Sequence, residues 1–156
     1  MFQKFELKKF PLIDSLHDCS TSSIKLIDNE LIINFDKEGL DILLPNGSKM
    51  YPYEQLKLTY ILVKDINYNE SNDCSVRQIN ERERLIRKAI KQWSLIEFVN
   101  FINENERNLR FFAQYYNQGK CIILSELISK RDWQMGNWFE IELSVDEIIF
   151  ETVETD

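Results

Sequence analysis

Residues 138–153 read WFEIELSVDEIIFETV, and the fold turns on how they are divided. Phe139, Ile141, Leu143 and Val145 alternate with Trp138, Glu140, Glu142 and Ser144. Successive side chains of a strand point to opposite faces, so this pattern predicts a strand with one face in a core and one toward water. The segment EIIFETV, 147–153, is strand-like again. Ser144–Asp146 could join the two as a hairpin, which would place Val145 in the turn.

Outward from this stretch, the preceding runs share its character. CIILSELI, 121–128, is strand-like, and in LRFFAQYY, 109–116, Leu109, Phe111, Ala113 and Tyr115 are expected to face one way. Ahead of them, SLIE at 94–97 has the form of a capping box, in which Ser94 and Glu97 each satisfy the other's backbone N–H. Leu95, Phe98, Val99 and Ile102 follow as an apolar stripe, so the spacing predicts a helix over about 95–104. Residues 76–92 are open between a second helix and a long strand. Ile79, Leu85, Ile86, Ala89 and Ile90 roughly fit helical spacing, but a highly charged strand fits as well.

The first half is read as strands and turns. IKLI, 24–27, and LIINF, 31–35, flank Asp28-Asn29, residues that tolerate left-handed backbone, so a hairpin is expected. Leu40, Ile42 and Leu44 alternate ahead of a Pro45-Asn46-Gly47 turn. LKLTYILVKDI, 56–66, is apolar on both faces around Tyr60 to Val63, as a central strand is. The resulting expectation is one α+β domain over 1–156, with antiparallel meanders packed around one amphipathic helix.

Composition narrows the function. The 156 residues are 44% apolar and 29% charged, with 4 Gly and 3 Pro, so a buried core is expected and long flexible linkers are not. The opening MFQKFELKKF has no secretory apolar region and no run approaches membrane-spanning length, so a soluble cytoplasmic protein without membrane partners is expected. Cys19, Cys74 and Cys121 are far apart and no CxxC occurs, which points to reduced thiols, with Cys121 packing as a small hydrophobe. With one histidine, His17, no zinc set is expected, and no nucleotide, hydrolase or calcium motif appears, so neither cofactor nor metal is expected. The net charge of −7 disfavours nucleic acid. That charge is uneven: residues 77–91 are rich in Arg and Lys, whereas 140–156 hold acids and no base.

Several stretches together resemble a known group. LHDC at 16–19, the hairpin IKLIDNELIINF and a loop starting EG resemble the start of small, mostly uncharacterised proteins of low-GC Gram-positive bacteria. SLIEFVNFINEN, LRFFAQYYN and FEIELSVDEIIFE are similar to their second half. Some proteins of this pattern are grouped with immunity proteins of polymorphic toxin systems, which bind a partner toxin and block it. The pattern often closes on an aromatic residue followed by Trp and an acid, and here IIFETVETD lacks the Trp. The resemblance supplies no catalytic residue. It favours the strand reading of 76–90.

Four candidate sites follow from residue types. His17-Asp18-Cys19 puts three reactive side chains in a row, but a Cys-His pair needs apposition from distant segments, and the plainer reading is a strand entrance with Asp18 bonded to local amides. Glu140 and Glu142 share a strand face about 7 Å apart, the raw material of an acid–base pair in a small hydrolase, though also of a solvated face. The basic run 77–91 could contact phosphate or pair with the chain's own acids. KRDWQMGNWF, 130–139, brings Trp133, Met135 and Trp138 near Arg131, residue types enriched in interface cores. The function expected is a non-catalytic protein-binding module of immunity type. Its face would comprise Trp133, Trp138, Glu140, Glu142, Asp146, Glu147 and Glu151, and its partner would be a protein such as a cognate toxin.

Overall fold

The computed structural model describes residues 2–6, 19–36, 42–43, 49–50, 55–63, 74–79, 89–128 and 138–153. In chain order the strands are β1 (Phe2–Glu6), β2 (Thr21–Ile27), β3 (Glu30–Phe35), β4 (Ile42–Leu43), β5 (Lys49–Met50), β6 (Gln55–Leu62), β7 (Ser75–Ile79) and β8 (Ala89–Ser94). Helix α1 (Leu95–Glu104) follows, then β9 (Asn108–Asn117), β10 (Lys120–Ile128) and β11 (Trp138–Val153). The architecture is mostly antiparallel sheet with one described helix, richer in β structure than the α+β expectation.

Strand β11 organises the rest. It is one strand of 16 residues, not two joined at Ser144–Asp146. A tight hairpin needs residues at positive φ. Among the described non-glycine residues only Asp28, Glu106 and Gln118 adopt it. Instead the register against β6 shifts between Val145 and Glu147, leaving Asp146 as a bulge. The extra residue restores the alternation: Phe139, Ile141, Leu143 and Val145 are buried before it and Ile148 after it.

The partners of β11 change at that bulge. Its first half lies between β10 and β7. Its second half lies between β6 and β1. Val145 N–H donates to Gly119 C=O (2.8 Å), and Ser144 C=O accepts from Val63 N–H (3.1 Å), so neighbours on both sides hold the switch. The path β2-β3-β6-β11-β10-β9 then curls into a half-barrel. Its ends meet where Ser20 bridges Arg110, Phe111 N–H donates to Cys19 C=O (2.9 Å) and Leu109 N–H donates to Thr21 Oγ1 (2.9 Å).

Other expectations are resolved strand by strand. The hairpin at Asp28-Asn29 forms, with Asp28 at φ 52°. β6 is central, between β3 and β11. The described ends of 76–92 are strands, β7 and β8, which pair antiparallel. Residues 80–88 lie outside the described ones. In β9 the register shifts opposite Leu124/Ser125, so Phe112 is the extra residue and Gln114 turns inward in place of Ala113 and Tyr115. Strict alternation fails there because a bulge adds one residue to one strand.

Helix α1 begins as its capping box dictates. Glu97 N–H donates to Ser94 Oγ (3.2 Å), and Ser94 N–H donates to Glu97 Oε2 (2.9 Å). That backbone hydrogen bond from Ser94 holds the Glu97 carboxyl below its ordinary range. Leu95, Phe98, Val99 and Ile102 are buried, and the Phe98 ring meets Phe139 of β11 at 4.9 Å. The helix therefore covers the sheet core at β2, β7 and β8.

Candidate partner-binding face

Cross-strand pairs share a face, so the register defines the outward surface of β9, β10 and β11. Tyr115, Ile122 and Glu142 form one row. Ala113, Leu124, Glu140 and Arg77 form the next. Trp138 stands beside Glu126 in a third, and its ring stacks on Phe112 at 4.3 Å. The β9 bulge at Phe112 sits beside this contact. Ile122 and Leu124 are half-buried, and Tyr115 is 49% exposed, so apolar and aromatic surface is continuous across the face.

The acids of this face have counter-ions built in. Arg77 Nη2 pairs with Glu140 Oε1 across the β7–β11 ladder. Lys120 Nζ lies 3.8 Å from Glu142 Oε1 and donates to Ser144 Oγ at 2.7 Å. Asp146 and Glu147 are exposed at the bulge. Glu151 lies farther along β11 and pairs with Lys57 of β6, its partner in register (2.5 Å). Trp138, Glu140 and Glu142 are thus brought together, while Glu151 is separated from them along the strand. Trp133 and Met135 lie outside the described residues.

The other candidates are placed as follows. His17 and Asp18 lie outside the described residues. Cys19 is fully buried and its carbonyl takes part in the β2–β9 closure, which fits a strand entrance. Glu140 and Glu142 are each engaged by a cation, the arrangement of a paired surface rather than of an acid set against a base. Of the basic run, Arg77 faces Glu140, and Lys91 Nζ lies 3.3 Å over the Trp93 ring. Arg82, Arg84, Arg87 and Lys88 lie outside the described residues. Among the described residues no three His, Cys, Asp or Glu are grouped to hold a metal, and no helix is long and apolar enough to cross a membrane.

The interior holds a second polar group that alternation did not reveal. Tyr60 Oη donates to Gln114 Oε1 at 2.8 Å, and both residues are buried. Burial pushes the Tyr60 phenol well above its ordinary value, with Cys121 adding to the shift. Burial pushes the Cys121 thiol up to about 12. Gln114 Nε2 and Ser125 Oγ have no hydrogen-bond partner. These atoms are sealed in the core, so they offer structure rather than a reactive surface.

The pairing of the basic run with the chain's own acids, one of its two expected readings, is seen at Arg77, whereas the counter-ion Lys120 and the stacking of Phe112 were not legible in the residue pattern. Each depends on strand register. Compared with known proteins, the chain matches no family model, no curated protein and no solved structure.

Proposed function

We propose that the chain is a non-catalytic protein-binding module of immunity type, acting in the cytoplasm, which occludes the basic cleft of a cognate bacterial toxin. The reading rests on one observation: Trp138, stacked on Phe112, shares the outward face of β11 with Glu140 and Glu142. Aromatic anchors in well-packed surroundings carry most of the energy of protein interfaces. Charges around them steer encounter and set register. Arg77 and Lys120 hold the two carboxylates in place before binding, and a basic partner would exchange its own cations for them. Asp146 and Glu147 extend the negative edge beside this face.

Co-expression with the product of a neighbouring toxin-like gene tests the proposal. A stable complex and relief of toxicity are expected, and Trp138→Ala should weaken both. No complex and undiminished toxicity would sink it.

A further inference from the structure

We infer that the partner enters the outward face of β9, β10 and β11 with an arginine side chain, whose guanidinium takes Glu142 in place of Lys120. The inference rests on the reading of this face as the partner surface, and it names the group that the surface recognises. The two carboxylates there are not equally available. The Glu140 side chain is only 12% exposed and is engaged by Arg77. Drawing Arg77 away would leave a nearly buried charge without its counter-ion, which is strongly destabilising. The Glu142 side chain is 35% exposed, and Lys120 Nζ stands 3.8 Å from its Oε1, beyond hydrogen-bond length. Exchange of cations is therefore easier at Glu142.

The tethered ammonium already holds another acceptor. Lys120 Nζ donates to Ser144 Oγ at 2.7 Å, a bond it keeps when a second cation takes Glu142. Lys120 and Ser144 form the cross-strand pair next to Ile122 and Glu142 on the same face. Lys120 thus acts as a placeholder. It balances Glu142 in the free protein and gives way at little cost, because ion pairs of this exposure are weak.

The row around Glu142 selects the incoming side chain. Glu142, Ile122 and Tyr115 stand abreast on three neighbouring strands, a span of about 10 Å at the strand spacing of a sheet. Ile122 is half-buried and Tyr115 is exposed. A long side chain lying along this row rests its methylenes on Ile122 and the Tyr115 ring and brings its charged head to the carboxylate. Arginine and lysine both have such a stem. Only a guanidinium grips both carboxylate oxygens at once and lies flat against an aromatic ring. Lys120 shows the ammonium alternative: its Nζ stays 3.8 Å from Glu142 and directs its hydrogen bond to Ser144.

The test titrates the full chain, labelled with nitrogen-15, with three end-blocked tripeptides that carry arginine, lysine or citrulline between two glycines. The arginine peptide should give saturable amide shifts centred on Ile122, Glu142 and Tyr115. The lysine peptide should bind at least about threefold more weakly, and the citrulline peptide, of like shape without the charge, should not saturate. Glu142→Gln should abolish the arginine response. Lys120→Ala removes the placeholder and should strengthen that response at least about twofold. Both side chains are partly exposed on a strand, so the spectra of the two variants should keep the dispersion of the folded chain. Equal affinity for arginine and lysine, a response that survives Glu142→Gln, or one that Lys120→Ala does not strengthen would overturn the inference. A toxin complex that forms while the arginine peptide shifts nothing on this row would overturn it alone. Saturable arginine binding on this row without any toxin complex would instead sink the proposed function alone.

Discussion

Two regions of the molecule mix aromatic and polar side chains, and they obey different energetics. Inside the half-barrel, Tyr60 and Gln114 form one hydrogen bond and leave Gln114 Nε2 unmatched, with Ser125 Oγ unmatched nearby in the core. Outside, Trp138 stacks on Phe112 while Arg77 and Lys120 reach Glu140 and Glu142. The interior groups have no water to replace a lost partner, so each bond there is costly to break. The outer pairs keep water at hand: the Arg77 side chain is 42% exposed, and screening makes its pairing weak and exchangeable. A polar group in the core therefore specifies structure. The same chemistry on the surface is available to a partner.

The largest separation between the regions should come from Tyr60→Phe. It leaves both amide atoms of the buried Gln114 without a partner, so stability should fall by about 1–3 kcal/mol in chemical denaturation. A loss no larger than that of a surface substitution would break the comparison.

The pH profile sharpens it next. Cys121 and Tyr60 have folded pKa values raised above their unfolded ones by burial. Raised values mean the folded state holds its protons longer. The Cys121 contribution is therefore intact below the unfolded thiol value near 9 and is lost as pH rises from there toward about 12, and the Tyr60 contribution is lost only above the unfolded phenol value near 10. Denaturation midpoints measured between these limits should decline, and Cys121→Ala should flatten the start of the decline.

Ser125→Ala works in the opposite direction. It removes a fully buried hydroxyl that has no partner, so stability should rise by about 1 kcal/mol. A fall would mean that the hydroxyl is satisfied in solution.

The smallest stability effect belongs to the outer pair. Glu140→Gln should cost less than about 1 kcal/mol, because one member of the pair is well solvated. The same substitution should slow association with a partner bound at this face, measured as a lower on-rate at low salt. Unchanged association would detach Glu140 from the proposed interface.

Local pattern was enough for some elements. Ser94 and Glu97 mark the start of α1, and the Leu95, Phe98, Val99 and Ile102 stripe gives its length and buried face. Both signals are complete within ten residues. Asp28-Asn29 likewise set the β2–β3 turn through the backbone freedom of its own residues. The outward placement of Trp138, Glu140 and Glu142 followed from simple alternation. Strand β1 gave no clear signal, because its place depends on β11, more than 140 residues away in sequence. The face of Tyr115 was misread because one inserted residue, Phe112, reverses the alternation after it.

What the chain determined by itself is therefore what neighbours in sequence can decide: one helix, its cap, tight turns and the two faces of each regular strand segment. The tertiary structure decided the continuity of β11 through Asp146, the pairing of Glu140 with Arg77, and the meeting of Tyr60 with Gln114. Each of these joins residues whose register depends on which strand lies alongside. Local propensity carries no record of that choice, because the energy of a ladder is gained only once distant segments have met.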